Sequence, residues 1–222
     1  MIPASKEFAD FPHWQTDGRK LTLFDPSKHC SIGLAFDSFS FSQDMSDVGQ
    51  ERAFAKQMLE KLPSKLEVTS FSRLGIRRWY LTSVAMSFEA LVAILDLKLF
   101  AQAEQLREIL PANVKDVMYV TVNAEAPYSA RISIGPVHGF EIPPLIPIDQ
   151  EHHLDPQKRA EQYIEIIKKY PKVSIYYEID YFQAEEQISI DDGKKFIELA
   201  DSRIREIVTN LTNYFLSAKV KD

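Results

Sequence analysis

The sequence predicts an α+β protein, a mostly antiparallel sheet packed against amphipathic helices and closed by a long C-terminal helix. Three observations lead there. Strand-like and helix-like segments do not alternate strictly, which disfavours a doubly wound parallel sheet. The strand-like runs repeat at period two, clearest at Val173, Ile175, Tyr177, Ile179 and Tyr181 against Ser174, Tyr176, Glu178 and Asp180. The final segment, from about Asp192 to Ala218, sets Phe196, Leu199, Ala200, Ile204, Ile207, Val208, Leu211 and Phe215 on one helical stripe. With 222 residues the chain can bury about 70% of its unfolded surface. We expect one domain over 1–222, with a subdivision into an N-terminal half 1–85, a joining helix 86–111 and a C-terminal half 112–222. The order sheet then helix, met twice, fits two related halves, although the halves share little residue identity.

Taken in order, residues 1–20 hold Phe8, Phe11 and Trp14 among prolines and charges, the pattern of an extended arm whose aromatics dock on the body or on a partner. Leu21–Phe24 reads as a short strand ended by Asp25-Pro26-Ser27. From Cys30 to Phe41, Ile32, Leu34 and Phe36 share one parity and Ala35, Phe39 and Phe41 the other, which predicts a hairpin apolar on both faces or a bulged strand. Phe54, Met58 and Leu62 at helical spacing predict a helix over 50–62, ended by Pro63.

Glu67–Thr82 returns to strand composition and contains the arginine-rich run Phe71-Ser-Arg-Leu-Gly-Ile-Arg-Arg-Trp-Tyr-Leu-Thr82. Gly75 interrupts the alternation there, a signal for a bulge or a close approach of backbone. Ser87 is placed to cap a helix running to Leu110. Strands follow at 117–123, 131–134 and 173–182. Between the last two, Gly135–Pro156 reads as a Pro-rich connector of the length that carries function, with a modest helix near 157–169.

Hydrophobic residues make up 45% and charged residues 26% of the chain, ordinary globular values, and 7 glycines with 12 prolines exclude a Gly-rich flexible or collagen-like chain. The net charge of −6 argues against a general nucleic-acid binder, which needs surplus Lys and Arg on some face, and suits a basic partner instead. One cysteine, Cys30, cannot form an intramolecular disulfide. The N-terminal residues carry neither a basic nor an apolar signal region, and no window approaches the roughly 18 apolar residues of a membrane span. A cytoplasmic protein without a membrane segment is expected; a homo-oligomer stays open.

No phosphate-binding glycine loop, no Gly-x-Ser-x-Gly and no His-Glu-x-x-His occurs. His29 and Cys30 adjoin, but neighbouring side chains on a strand point to opposite faces, so a buried thiol is preferred over an activated nucleophile. Asp149-Gln-Glu-His-His-Leu-Asp155 offers metal-ligand types, with His152 and His153 as candidates and His138 as a further anchor. It lacks the spacing that aims two imidazoles at one ion, so a solvated loop is preferred, and neither a metal nor a cofactor is expected. Asp191 and Asp192 suit a helix N-terminus. Glu178 and Asp180 share one face of their strand, Arg73 and Arg77 one face of theirs. If those strands pair, the four form an ion-pair ladder; anion binding by Arg73, Arg77 or Arg78 is the sharper alternative.

The combination of Trp14, a short N-terminal sheet, an amphipathic helix and then Ser72-Arg-Leu-Gly-Ile-Arg-Arg-Trp-Tyr80 resembles a sporadically distributed family of uncharacterised bacterial proteins. Its members carry an Arg-Leu-Gly-Leu-Arg-Tyr-like strand, matched here by Arg73, Leu74, Gly75, Ile76 and Arg77, and departed from at Arg78-Trp79. A later strand of Ile-Asp-Tyr type, here Ile179, Asp180 and Tyr181, runs into a final helix ending in Phe215. The resemblance implies a component of a bacterial conflict or phage-defence system. Three readings follow. The leading one is a non-enzymatic binder of a protein partner encoded nearby, with Phe8, Phe11 and Trp14 as anchors. The second is a small anionic-ligand domain with a pocket between the sheet and the C-terminal helix. The third, an enzyme, needs the His152/His153 loop to converge with acids elsewhere.

Overall fold

The computed structural model describes residues 13–16, 18, 20–25, 30–35, 38–43, 48–65, 68–100, 115–141, 164–165, 167–168 and 170–217. They form an α+β fold with two antiparallel sheets and three long helices. The chain divides into two compact units, Met1–Met58 with Pro147–Glu161 and Leu59–Ile146 with Gln162–Asp222.

The first unit holds a meander of β1 (His13–Thr16), β2 (Lys20–Asp25), β3 (Cys30–Ala35) and β4 (Phe39–Gln43), each antiparallel to the next. Leu23, Ile32 and Leu34 form its buried apolar row. The register sets Phe39 opposite Leu34 and Phe41 opposite Ile32, although the four residues differ in parity. The turn closed by the Ala35 N–H donating to the Ser38 carbonyl resets the count, so the region is a simple hairpin. Within the expected N-terminal arm, His13–Thr16 is a fully exposed edge strand. Helix α1 (Val48–Lys65) runs two residues past Pro63, where the sequence places its end.

The second unit is built on the strand order β5-β8-β7-β6, comprising β5 (Ser70–Ser83), β6 (Tyr119–Glu125), β7 (Tyr128–His138) and β8 (Val173–Ser189). The last strand in sequence is thus inserted between two earlier ones. Helices α2 (Phe88–Phe100) and α3 (Ile190–Leu216) cover one face, on which Ile132, Ile134, Ile175, Tyr177 and Ile179 are buried. Phe196 of α3 meets the rings of Tyr128 and Tyr181 at 6.0 and 5.9 Å. Tyr177, buried by the sheet and α3, bonds its hydroxyl to that of Thr212 at 2.9 Å, and burial pushes its phenol pKa upward.

Two strands are longer than the sequence pattern predicts. β7 continues through Gly135 and Pro136 to His138, followed by one 3-10 turn at Gly139–Glu141; the rest of the expected connector lies outside the described residues. Pro136 is tolerated because β6 has already begun opposite Ile134, leaving no described strand on that side of it. β8 extends past Phe182, where Glu185, Glu186 and Gln187 stand against Ser72 alone, a bulge that interrupts the β5 pairing between Phe71 and Arg73. The irregularity falls there, not at Gly75.

Local capping fixes both helices. The Ser87 hydroxyl accepts from the Ala90 N–H at 3.2 Å, starting α2 where the sequence places its cap. Ser189 caps α3, its hydroxyl accepting from the Asp192 N–H at 3.1 Å and donating to the Asp192 carboxylate at 2.7 Å. At the far end the Lys98 ammonium of α2 donates to the Phe215 and Ser217 carbonyls, both at 3.0 Å, satisfying acceptors that the end of α3 leaves open.

Ser189→Ala should lower the unfolding free energy in urea titration by about 1 kcal/mol. The Ser189 hydroxyl first, then Lys195, hold Asp192 below its ordinary 3.8. A depressed carboxyl stabilises the fold above the unfolded value and loses that contribution as pH falls through the folded one. Asp192→Asn should therefore be less stable than the natural chain at neutral pH, with the gap narrowing steadily below pH 3.8.

Candidate functional site

The face of the second sheet away from α2 and α3 carries Arg73 and Arg77 of the arginine-rich run. Register pairs Arg77 with Asp180 and Trp79 with Glu178 across β5 and β8, so side chains of alternate residues meet on one face. Arg73 donates to the Asp180 carboxylate at 2.8 Å, and Arg77 spans Glu178 at 3.5 Å and Asp180 at 3.6 Å. The expected ladder forms. Its acids are the sheltered members: the Asp180 side chain is 12% exposed, those of Arg73 and Arg77 51% and 50%.

Gly75 makes the geometry feasible. A Cβ there would lie 3.2 Å from both the Arg73 guanidinium and the Asp180 carboxylate, so the missing side chain leaves a trough across which Arg73 reaches. The same guanidinium lies over the Phe182 ring, 4.5 Å from its centroid. On the other flank the Tyr176 hydroxyl donates to Glu178 at 3.4 Å. Burial, and after it the Glu178 charge, push the Tyr176 phenol far above its usual range, which keeps it a donor. Tyr176 and Val137 in turn form a small apolar cluster with Trp79, Leu81 and Tyr170.

Arg131 joins this face from β7, in register with Asp180, and is exposed. Sequence reasoning missed it, although its parity opposite Ile132 and Ile134 was a usable signal. Arg73, Arg77 and Arg131 face Glu178 and Asp180, so the row has one guanidinium in surplus. It lies on the opposite side of the sheet from α3, whereas Arg78 pairs in register with buried Ile179 on the helix-covered side. The three arginines picked from sequence therefore do not converge on a pocket between sheet and helix.

Trp14 lies on β1, 60% exposed. Phe8, Phe11, His152 and His153 lie outside the described residues. His138 is stacked between Phe88 and Phe140, with centroids at 4.0 and 5.0 Å, and among the described residues no group of three or more metal-ligating side chains gathers.

A double-mutant cycle of Arg73→Ala and Asp180→Ala, followed by urea unfolding, should give a coupling of about 1 kcal/mol, while the exposed Arg203/Glu206 pair should give a distinctly smaller one. Equal couplings would mean that the shelter of Asp180 adds nothing. Comparison with known protein families, curated proteins and solved structures finds no match, so the meaning of this site has to come from its own geometry.

Proposed function

We propose that this chain is a non-enzymatic protein-binding component that docks its folded surface onto a protein partner. The observation that carries the reading is Trp14, a large aromatic 60% exposed on a strand with every residue exposed. Tryptophan buries much area for little lost rotamer freedom, and it dominates interface energetics where a partner supplies a pocket. The net charge of −6 favours a basic partner and faster encounter with it. Action in a bacterial conflict or phage-defence system, with a partner encoded nearby, is part of the proposal and rests on the family resemblance alone.

The surplus guanidinium of the ladder supports a second reading, a small anion held on the open sheet face by Arg77 and Arg131. Competition from Asp180 and Glu178 makes it the weaker of the two, because an anion must displace pairs already formed.

Binding to the product of each neighbouring gene, measured by calorimetry, decides the first reading. Trp14→Ala should weaken the complex at least about tenfold, and added salt should weaken it further. A pair that forms with Trp14→Ala at full affinity would refute the anchor, and absence of any complex would refute the reading. For the second, Arg77→Ala should abolish a phosphate-induced rise in melting temperature; an unchanged rise would dismiss the anion site.

A further inference from the structure

The two edges of the second sheet are protected very differently. β5 carries Arg73, Arg77 and Arg78 and ends in the β8 bulge, charges and irregularity of the kind that discourage strand addition. β6, Tyr-Val-Thr-Val-Asn-Ala-Glu, has no lysine, arginine or proline, and its only charge is the terminal Glu125. It is the outermost strand of its sheet among the described residues. Val120 and Val122 are 50% and 63% exposed, and they share parity with Ala124. An uncharged, β-branched edge with an apolar row is a ready template for another strand.

We propose that the occupant is β6 of a second copy of this chain, paired antiparallel about a two-fold axis at Val122. The strand is complementary to itself in that register. Val122 faces its own equivalent, Val120 faces Ala124, Thr121 faces Asn123, and Tyr119 faces Glu125. One face of the junction is then an unbroken apolar strip of Val120, Val122 and Ala124 from both copies. On the other, hydroxyl meets amide and a phenol meets a carboxylate. The two Glu125 charges stand at opposite ends, about 20 Å apart, so no like charges oppose one another. A slip of one residue would set the valines beside Thr121 and Asn123 and invert one sheet relative to the other, which fixes the parity of the pairing. The product is one continuous sheet in which two four-stranded sheets bury their β6 edges together, an isologous dimer of the commonest symmetry.

Seven residues per side make a small interface, so association in the micromolar range is expected. Sedimentation of the full chain from roughly 1 to 100 µM should pass from the 25.5 kDa chain mass to twice that value. Val122→Lys and Val122→Glu place like charges on the axis, and each should stay monomeric with an unchanged circular dichroism spectrum. Mixing the two should restore a dimer containing one of each. In the natural chain, hydrogen exchange at β6 amides should slow as concentration rises, a readout independent of the variants. A chain monomeric throughout the range overturns the proposal. So does a dimer that survives both substitutions, or two monomeric variants that fail to pair when mixed. Trp14 is not one of the β6 residues substituted here, so the outcome is separate from that of the partner-binding test.

Discussion

The second unit depends on the insertion of β8 between β5 and β7. Arg73 and Asp180 are separated by 107 residues, yet their strands are neighbours, so the β5–β8 ladder is a long-range pairing. Closing such a loop costs entropy that grows only slowly with length but must be met before the contacts reward it. The reward is concentrated in one strand: Ile175, Tyr177 and Ile179 are all fully buried, each contributing about 1.5–3 kcal/mol by removal from water. β8 is thus the element on which both the helix-covered core and the polar face rely.

The two faces of this sheet settle different problems. Under α2 and α3 the side chains are apolar and their energy is large and undirected. On the open face the ion pairs are half solvated, and an exposed pair contributes no more than about 1 kcal/mol. Bulk stability therefore comes from the covered face. The ladder instead adds specificity to register, because a slip of β5 by one residue would send Arg73 and Arg77 under the helices, away from Glu178 and Asp180. A sheltered carboxylate without its partner is penalised more heavily than the pair is rewarded.

Much of this was legible in the sequence, for physical reasons that also explain the gaps. Period-two alternation in Val173–Phe182 and the helical stripe ending at Phe215 report directly which face is apolar, so β8 and α3 stood out, and so did Arg73 and Arg77 as partners of Glu178 and Asp180. Parity carries no memory across a turn, which is why Phe39 and Phe41 looked opposed to Ile32 and Leu34 although the register aligns them. Proline reads as a strand terminator because it lacks a donor, yet β7 runs on through Pro136 with β8 as its paired strand, the β6 ladder having ended at Ile134. The end of β8 was hidden because Glu185, Glu186 and Gln187 are exposed in a bulge, and polar residues there look like a loop. Trp14 could be picked as an exposed aromatic, but nothing in its neighbours indicated a strand, since all four residues of β1 face solvent.

At Gly75 register, charge and packing meet in one residue. Within a strand, glycine costs roughly 0.5–1 kcal/mol relative to alanine through lost chain entropy, and here it adopts no backbone angle that demands it. Its justification is space. Any Cβ would crowd Arg73, Asp180 and the Phe182 Cβ at 3.2, 3.2 and 3.3 Å, and the flexible guanidinium would yield before the sheltered carboxylate. Arg73 would then have to give way by a few tenths of an ångström, stretching its short bond to Asp180 and shifting it over Phe182. The position that looked from sequence like a flaw in the strand is the gap through which the cation crosses it, and the cost of the glycine is comparable to the worth of the pair it permits.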